Sequence, residues 1–569
     1  MVELEPAPTP SAMPAAGPVS WRASSDSTRP SPLLVKPEPV TPEGSVPGAA
    51  VAWDEMFESA HTPRRAYKQV HSALSRMSGD ELRSRVDALA RTYLDQGVTF
   101  DLGGEERPFP LDLVPRVIAA AEWEVVEHGV AQRVRALEAF LADVYGPRQA
   151  VADGVIPLKV LVTASNFHRE AAGIEPANGV RVHVAGIDLV RDEAGTFRVL
   201  EDNVRVPSGV SYVLANRQAV SQVFSEAFGD HRIRPLSDYP RRLLAALRAA
   251  APDGTVDPAV VVLTPGIYNS AYFEHALLAR SMGVELVEGR DLVCHHGQVW
   301  MRTTSGERRV DVIYRRIDDE FMDPIHFRSD SLLGCPGLLT AARSGHVAIA
   351  NGIGNGVADD KLVYTYIPDL LRYYLGEEPI LDNVRTWRLQ EPDARAEVLD
   401  RLGELVVKPV DGSGGKDLVI GPQASAAELD ALRTKIRLDP RGWIAQPVVQ
   451  LSTVPTLCGL ELQPRHVDLR PFAVNDGDDV WVLPGGLTRV ALAKGQLVVN
   501  SSQGGGSKDT WVLRAAGSKD IEDRATHRRR PVPVLPEMAE PDPGPDDETT
   551  SDQQQQQQQQ SQGIRPVRC

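Results

Sequence analysis

Cysteine is scarce in this sequence, and the few cysteines present follow no pattern. The 569 residues contain four of them, and no two have the spacing of a zinc-ligand pair or of a disulfide framework. We therefore favour reduced thiols in a cytoplasmic protein over a redox role, because disulfides are rare in that compartment. The four positions are Cys294, Cys335, Cys458 and Cys569.

A net positive charge and long apolar runs are also lacking. The formal net charge is −16 at pH 7, whereas a general nucleic-acid binder is more often basic. No apolar run approaches the length of a membrane span. The residues that follow Met1 lack the basic start and apolar stretch of a secretory signal. These absences predict a protein with no nucleic-acid partner and no membrane partner.

Large apolar residues are rare at both ends. Residues 1–50 are rich in Pro, Ser and Ala, and residues 514–569 contain a Pro/Asp/Glu stretch and eight consecutive glutamines. Such segments cannot bury a core, so both are predicted to be disordered. The predicted folded region is 51–513. It divides into a helical part at 51–158, a metal-ligand and substrate part at 159–350, and a nucleotide part at 351–513.

Helix and strand patterns alternate in the folded region, which predicts a mixed α+β or α/β fold. The apolar runs at 259–266 and 284–289 flank a helical pattern. This βαβ rhythm predicts a parallel sheet. Further expected elements are a hairpin at 180–203, a strand at 159–164, a strand at 310–318, and two helices within 113–146 that are divided near Gly129.

Residues 182–205 are predicted to form a strand, a turn and a second strand that present oxygen ligands. Alternate side chains of a strand share a face, so Glu201 and Asn203 point the same way. The turn DEAG at 192–195 folds the first strand back and can place Asp188 beside Glu201. Two carboxylates and an amide oxygen suit Mg²⁺ when phosphates complete its octahedron. The alternative is a solvent-facing hairpin with ordinary charges.

A lysine and a glycine-rich loop follow a later strand. Lys408 ends the apolar run at 405–407, and a buried lysine is costly unless it meets an anion. The loop DGSGGKD at 411–417 can bring backbone N–H groups close to phosphates. It is not a Walker A loop, because Lys416 is followed by Asp417 rather than by Ser or Thr. The alternative is a flexible hairpin loop that binds nothing.

Other polar side chains could complete an ATP site. Gln446 lies in an apolar strand whose backbone could face adenine, and its side chain could add a hydrogen bond. Asp468 and Arg470 share a strand face, and Arg489 follows later; arginines bind phosphate oxygens well, although surface ion pairs are the commoner use. Lys361 follows a glycine-rich turn, where it could reach a phosphate or be a solvated lysine in the first turn of a helix.

Eight motifs spread over the folded region occur together in one family. They are TFDLGG (99–104), VLEDNVRVPSGVSYV (199–213), IYRRIDDEFMDP (313–324), NGIGNGVADDK (351–361), LVVKPVDGSGG (405–415), PRHVDLRPF (464–472), PGGLTRVAL (484–492) and VNSSQGGGSKDTWVL (499–513). With them the chain resembles the circularly permuted type 2 ATP-grasp proteins. The resemblance runs from about Trp53 to Leu513. The motifs are highly specific together, although each is weak alone.

This resemblance implies a fold, a reaction and a set of roles. The fold would be an ATP-grasp fold in permuted order, since the metal ligands precede the lysines. The reaction would be an ATP- and Mg²⁺-dependent ligation of a carboxylate to an amine, through an acyl phosphate, on small-molecule or peptide substrates. The implied roles are Mg²⁺ binding by Asp188, Glu201 and Asn203, phosphate binding by Lys361, Lys408, Gly412, Ser413, Gly414 and Gly415, and an adenine hinge from Gln446 to Val449.

One departure from the family concerns the phosphate arginine. Many members of the superfamily carry a basic residue just before the first metal aspartate, whereas here Gly186 and Ile187 precede Asp188. The arginine must then come from elsewhere in the chain. Arg470 and Arg489 are the candidates.

Substrate contacts are expected from two other places. Arg315 and Arg316 could anchor a carboxylate with paired hydrogen bonds, although at least one of them could instead pair with an acidic neighbour. Ser507 and Lys508, in the last motif, are expected near phosphate or substrate.

Two other functions remain open from the sequence. The chain could be an ATP-binding regulatory or assembly module without ligase activity, or a phosphotransferase that stops at the phosphorylated substrate. The complete set of lysines, loop and metal ligands favours the ligase, since a degenerate module would be expected to have lost one of them.

Overall fold

A computed structural model describes residues 51–102, 105–412, 417–497, 499, 505–515 and 552–558. The strands are β1 (Phe57–Ser59), β2 (Thr62–Pro63), β3 (Thr99–Leu102), β4 (Glu105–Pro108), β5 (Leu111–Ile118), β6 (Val184–Arg191), β7 (Phe197–Asn203), β8 (Val260–Leu263), β9 (Glu285–Val287), β10 (Leu292–His295), β11 (Gln298–Thr303), β12 (Gly306–Val310), β13 (Val312–Arg315), β14 (Ala348–Ala350), β15 (Trp387–Arg388), β16 (Leu405–Pro409), β17 (Val419–Ile420), β18 (Trp443–Pro447), β19 (Thr453–Cys458), β20 (Glu461–His466), β21 (Arg470–Asn475), β22 (Val480–Val490) and β23 (Gly506–Val512).

The helices lie between these strands. They are α1 (Lys68–Arg76), α2 (Gly79–Asp95), α3 (Ala120–Val144), α4 (Gln149–Ala152), α5 (Leu158–Val162), α6 (Val210–Val223), α7 (Ser225–Asp230), α8 (Tyr239–Ala249), α9 (Tyr272–Met282), α10 (Asp319–Met322), α11 (Leu338–Arg343), α12 (Lys361–Tyr364), α13 (Ile367–Leu375), α14 (Pro392–Asp400) and α15 (Ala426–Leu438). None of the helices in the described part of the chain is long and apolar enough to cross a membrane.

A six-stranded sheet carries the predicted metal hairpin. Its order is β5-β23-β22-β21-β6-β7, and only the β5–β23 pair is parallel. Every residue of β6 and of β23 is buried, as expected for inner strands that are covered on both faces. Helix α3 contributes side chains such as Val126 and Val130 to the core cluster that includes Ile187 and Leu189 of β6. The hairpin strands β6 and β7 confirm the predicted turn at 192–195.

A four-stranded sheet confirms the predicted βαβ region. Its order is β14-β13-β8-β9, and all neighbours are parallel. Alternate residues of β8 enter different cores, because strand side chains alternate between faces. Val260 and Val262 pack with Leu243 of α8 and Leu278 of α9, whereas Val261 packs into the larger core beside α3. The carboxyl ends of these strands carry the loops that follow Leu263 and Arg315.

A third sheet forms a small lobe with its own core. Its order is β15-β18-β16-β17, and its pairings are antiparallel. Leu405 and Val407 of β16 pack with Leu432 and Ile436 of α15. Because side chains alternate, Val406 and Lys408 lie on the opposite face of β16. Smaller antiparallel pairings are β1-β2, β3-β4, β10-β11-β12 and β19-β20.

Two predicted elements are wrong. Residues 159–164 were expected as a strand but lie mostly in α5, where Val160 and Leu161 are buried; a short apolar run does not distinguish a helix from a strand. Helix α3 continues through Gly129 without a division. The glycine permits close packing, since a Cβ at this position would lie 2.4 Å from Cγ of Leu381.

Residues 552–558, within the segment 514–569 that the sequence predicts to be disordered, form a helical segment in the structure. Two of its glutamines, Gln556 and Gln557, are buried.

Gly129→Ala should destabilise the protein, although alanine is normally the better helix former. The new Cβ would overlap Leu381, and overpacking of this kind costs about 1–3 kcal/mol. Gly229→Ala in α7 is the matched control, because a Cβ there meets nothing within 4 Å. Denaturant unfolding should show a loss for the first variant and no loss or a small gain for the second. A gain at Gly129 would contradict the packing assignment.

Candidate active site

The β6–β7 hairpin brings the predicted metal ligands together. Its register places Asp188 directly opposite Glu201, and Gly186 opposite Asn203. The turn is fixed by the carboxylate of Asp192, which accepts hydrogen bonds from the backbone N–H groups of Ala194 (3.0 Å) and Thr196 (2.9 Å). The spacing rule that predicted this face therefore agrees with the geometry.

Asp188 lies between two arginines in the interior of the sheet. Nε and Nη2 of Arg470 donate to its two carboxylate oxygens, and Nη2 of Arg489 donates to Oδ2 at 2.8 Å. These guanidinium groups hold the pKa of Asp188 well below its usual range, although burial opposes them. Arg489 also donates from Nε to both oxygens of Asp468, at 3.0 and 2.9 Å. Burial raises the pKa of Asp468.

The packing around Gly186 explains the departure that the sequence showed before Asp188. A Cβ on Gly186 would lie 3.1 Å from Cδ of Arg470 and 3.2 Å from Cβ of Pro207. The glycine therefore leaves room for the arginine of the neighbouring strand. Arg470 is then tied down, since its Nη1 donates to the carbonyl of Ser208 at 3.2 Å.

Lys361 joins the two halves of the candidate site. Asp360 caps α12, with its carboxylate accepting from the backbone N–H groups of Leu362 (2.8 Å) and Val363 (3.1 Å). This cap fixes the start of the helix, and Lys361 is its first residue. The ammonium of Lys361 donates to the carbonyl of Gly412 and lies 3.6 Å from a carboxylate oxygen of Glu201. The lysine therefore connects the metal hairpin to the start of the glycine-rich loop.

Lys408 projects from the small lobe into the same cleft. It pairs with Ile444 in the β16–β18 register and lines the cleft together with Asp188 and Glu201. Among the residues that the structure describes, its ammonium has no hydrogen bond and no ion pair. Burial, together with the nearby charge of Lys361, lowers its pKa to about 8, although the carboxylates of Glu201 and Asp188 oppose the shift. The ammonium is therefore placed to meet an anion.

Much of the remaining cleft lining is apolar. Gln446 lies in β18, and its side-chain Nε2 donates to Thr386 Oγ1 at 3.0 Å. That bond uses one N–H of the amide group, and the hydrogen bond of Gln446 to adenine stays a prediction. The remaining wall is made of aliphatic side chains, namely Val190, Leu200, Val406, Leu418, Ile420, Val448, Val449, Leu451, Leu497 and Val499.

The donor set fits a metal ion that also binds phosphate. Mg²⁺ is commonly held by one or two carboxylates, with phosphate oxygens and water completing its shell. Oδ2 of Asp188 accepts two hydrogen bonds but Oδ1 accepts one, so one lone pair on Oδ1 is left. Nδ2 of Asn203 is buried without a hydrogen-bond partner. Within the described residues no three His, Cys, Asp or Glu side chains are grouped to hold a metal alone.

Arg315 and Arg316 do not reach the cleft. Arg315 is fully buried and donates to the backbone carbonyls of Ile317, Asn351 and Gly352, at 2.8–2.9 Å. It also lies 3.3 Å from Asp319, the ion pair that the sequence left open. The expected anchoring of a substrate carboxylate does not fit these contacts, because the guanidinium holds loops of its own protein instead.

Arg316 likewise holds a loop of its own protein. Its Nη1 donates to the carbonyl of Pro207 at 2.7 Å, and its Nη2 donates to Glu274 at 2.7 Å. Glu274 in turn accepts from the backbone N–H groups of Gly209 (2.7 Å) and Ser211 (3.1 Å). These contacts fix the loop after Asn203 rather than a ligand.

Ser507 and Lys508 are also internal. Lys508 is fully buried in β23, where its ammonium donates to Asp112 at 2.7 Å and to the carbonyls of Val114 and Pro455 at 3.2 Å. The expected contact with phosphate or substrate is therefore not seen. Three predicted loop residues lie outside the described residues, namely Ser413, Gly414 and Gly415.

Two acidic residues make contacts in the folded protein that the sequence did not predict. Asp468 was placed only on the face of Arg470, yet it lines the cleft and pairs with Arg489. Asp359 lies in the NGIGNGVADDK motif, two residues before Lys361. Its carboxylate accepts from the N–H of Val204 at 2.7 Å, and burial raises its pKa to about 7. Their signals were the VDLRPF and GVADDK motifs, but no local rule pairs them with these partners.

Comparisons with known proteins show the family of this chain. The model of the family described as circularly permuted ATP-grasp type 2 matches residues 115–491. An uncharacterized protein of Mycobacterium tuberculosis (strain ATCC 25618 / H37Rv) is 60% identical over 488 residues, which cover 85% of this chain and 89% of that protein. The family expected from the eight motifs is confirmed.

Two further similarities concern ligases by name. A protein of Frankia alni named "Putative glutamate--cysteine ligase 2-3" is 47% identical over 465 residues; the match covers 81% of this chain but 54% of that protein. A solved glutathione synthetase-like effector from Globodera pallida, in its apo form, superposes with a TM-score of 0.52 at 11% identity, covering 77% of this chain and 98% of that one. At that identity the likeness shows the fold alone, and it confirms the predicted fold class.

Lys408→Met should change how stability depends on pH. The pKa of about 8 in the folded protein is below the usual value near 10.4, so between these pH values the unfolded chain binds more protons. Burial of the ammonium therefore lowers the free energy of unfolding by its full amount below pH 8. This destabilisation disappears as the pH rises toward 10.4. The Met variant should be the more stable one at pH 7. Its advantage should shrink by up to about 1.4 kcal/mol per pH unit above pH 8.

Denaturant unfolding at several pH values between 7 and 10 checks this. Lys494→Met is the matched control, since Lys494 is exposed and its replacement removes the same charge from the surface. A stability difference at Lys408 that stays constant over this pH range would show that the ammonium is not destabilised by burial.

Proposed function

The chain belongs to the circularly permuted ATP-grasp type 2 family, and from that premise we propose that its cleft binds Mg²⁺-ATP and ligates a carboxylate to an amine. The observation that carries the proposal is the composition of the cleft lining. It combines the charged side chains of Asp188, Glu201, Lys361 and Lys408 with a largely aliphatic remainder that also includes Gln446. Such a lining offers charged partners for the polyphosphate of ATP and apolar surface for its adenine.

The charged side chains of the cleft are suited to polyphosphate. Lys408 has no partner among the described residues, and a phosphate would restore to its ammonium the favourable environment that burial removes. Lys361 already holds the carbonyl of Gly412, so it would position the first glycine of the loop as well as contact phosphate. Asp188, Glu201 and Asn203 would hold the Mg²⁺, which would neutralise charge on the phosphates during transfer.

Arg489 is the better of the two candidates for the phosphate arginine. All three nitrogens of Arg470 have protein acceptors, on Asp188 and Ser208. Arg489 uses Nε and Nη2, and its Nη1 has no partner among the described residues. It also lines the cleft. We therefore assign to Arg489 a hydrogen bond to a phosphate oxygen and to Arg470 the positioning of Asp188.

The reaction needs no nucleophile from the protein. An oxygen of the substrate carboxylate attacks the γ-phosphorus, ADP leaves, and an acyl phosphate forms. The amine then attacks the acyl carbon, loses a proton, and phosphate leaves with the oxygen that came from the carboxylate. The protein's contribution is positioning and charge stabilisation. We place the reaction in the cytoplasm, in line with the scarcity of cysteine.

An amino acid or a small peptide is the substrate class to test first. This choice follows the name of the Frankia alni relative. The match with this chain covers 54% of that protein. The first assay should combine ATP and Mg²⁺ with L-glutamate labelled with ¹⁸O and with L-cysteine, followed by other amino-acid and dipeptide pairs. ADP release that requires both partners, with ¹⁸O in the released phosphate, supports the ligase.

The other functions predict different products. A regulatory or assembly module would bind ATP with no substrate pair increasing ADP release. A phosphotransferase would release ADP with the carboxylate alone and leave a phosphorylated product. Either result, over a broad panel of carboxylates and amines, would replace the ligase proposal.

Glu201→Gln should reduce ADP release at least about tenfold, a loss of about 1.4 kcal/mol in transition-state stabilisation. The change removes one charge from the metal ligands. It should hardly affect folding, because Glu201 is partly exposed and its ion pair with Lys361 is long, at 3.6 Å. Glu193→Gln, in the exposed turn of the same hairpin, is the matched control. Turnover within about threefold of the unmodified protein at Glu201 would show that it does not bind the metal.

A further inference from the structure

The helical segment 552–558 packs against two loops of the folded body. One loop follows β8 and contains Gly266 and Tyr268, and the other follows α10 and contains Asp330 and Leu332. Gln556 is 7% exposed and Gln557 is 4% exposed, values unusual for a residue type that is mostly found on the surface. The two glutamine side chains are therefore enclosed by these two loops.

Both ends of the Gln556 amide are bound by backbone groups. Its Oε1 accepts from the N–H of Leu332 at 2.8 Å, and its Nε2 donates to the carbonyl of Asp330 at 2.6 Å. A carboxylate in this position would keep the first hydrogen bond, but it would place an oxygen against the carbonyl oxygen of Asp330. The pair of contacts therefore selects a carboxamide over the acid of the same shape.

Gln557 fills the space that a glycine leaves. A Cβ on Gly266 would lie 2.5–2.7 Å from the three terminal atoms of the Gln557 side chain, and Gly266 has a φ of +121°. Oε1 of Gln557 accepts from the N–H of Tyr268 at 3.1 Å. The loop is thus shaped to receive a second side-chain amide next to the first.

The place and the surroundings of these loops are those of a binding site. The first loop leaves the carboxyl end of β8, an inner strand of the parallel sheet, and ligands of open parallel sheets commonly bind at this edge. Apolar side chains of the two loops remain exposed, with Ile267 at 52%, Tyr268 at 44% and Leu332 at 38%. Clustered exposed apolar residues of this kind mark interaction surfaces.

We propose that the loops at 266–268 and 330–332 form a binding site for neighbouring glutamine side chains of a peptide, and that the glutamine run of this chain is its occupant. The proposal is independent of the ligase reaction. It gives the run of eight glutamines a chemical reason, since any adjacent pair of them can fill the two positions. A single substitution would therefore be relieved when the run shifts by one residue.

The test uses two full-length variants of equal charge. The first changes every second glutamine to Glu, so that no adjacent pair remains, and the second changes the two outer residues at each end and keeps the inner four. The alternating variant carries Gln554→Glu, Gln556→Glu, Gln558→Glu and Gln560→Glu, and the outer variant carries Gln553→Glu, Gln554→Glu, Gln559→Glu and Gln560→Glu. Neither set changes a residue between 51 and 515, so the folding of that part of the chain is not at risk.

Hydrogen–deuterium exchange of the N–H groups of Tyr268 and Leu332 is the readout, without nucleotide. Exchange at both should become at least about tenfold faster in the alternating variant and stay unchanged in the outer variant. Adding a free peptide with eight consecutive glutamines should restore protection to the alternating variant, whereas an alternating Gln/Glu peptide should not.

Three results would overturn the proposal. They are equal exchange in the unmodified chain and both variants, equally faster exchange in both variants, and no protection from the glutamine peptide. Protection in the unmodified chain that falls when the protein is diluted tenfold would overturn the assignment of the occupant to the same chain, because it would show a contact between copies.

Discussion

The candidate site depends on one buried carboxylate, that of Asp188, and on the two guanidinium groups that enclose it. Arg470 comes from β21 and Arg489 from β22, so these ion pairs tie three strands of the six-stranded sheet to one point. Removing one partner of such a buried pair leaves an uncompensated charge, at a cost of about 3–5 kcal/mol. The network continues outward, since Arg116 donates to the carbonyl of Asp468 at 2.9 Å and pairs with Glu55 at 2.6 Å. The geometry of the proposed metal ligands is therefore part of the stability of the fold.

The parts of the site that were predictable from the sequence follow local rules. The two-residue period of a strand and a four-residue turn sufficed to place Asp188 opposite Glu201 and to put Glu201 and Asn203 on one face. Alternation along β16 likewise places Lys408 on the face opposite Val407. The acidic start of α12 was also predictable, because a cap needs a carboxylate next to free N–H groups. In each case the interacting groups are near one another in the chain, or their spacing is set by regular structure.

The parts that were missed depend on partners far away in the chain. A motif containing two adjacent arginines does not show that Arg315 and Arg316 will brace loops, because their acceptors are carbonyls that only the folded chain brings close. Lys508 is similar, since its carboxylate partner precedes it by 396 residues. Gly129 was read as a helix break, but its role is set by Leu381, which lies on another segment. Residue type indicated the chemistry of these positions, and tertiary contacts decided which chemistry was used.

The position of β23 has a consequence for the order in which the protein can fold during synthesis. This strand lies between β5 and β22, and Lys508 within it neutralises Asp112 at the start of β5. A ribosome that adds about 5–20 residues per second needs roughly 20–80 s to make the intervening 396 residues. During that time β5 has no partner on this side, and an unpaired strand edge can pair wrongly. The central sheet therefore closes only after β23 has been synthesised, and the nascent chain has to keep β5 from other partners until then.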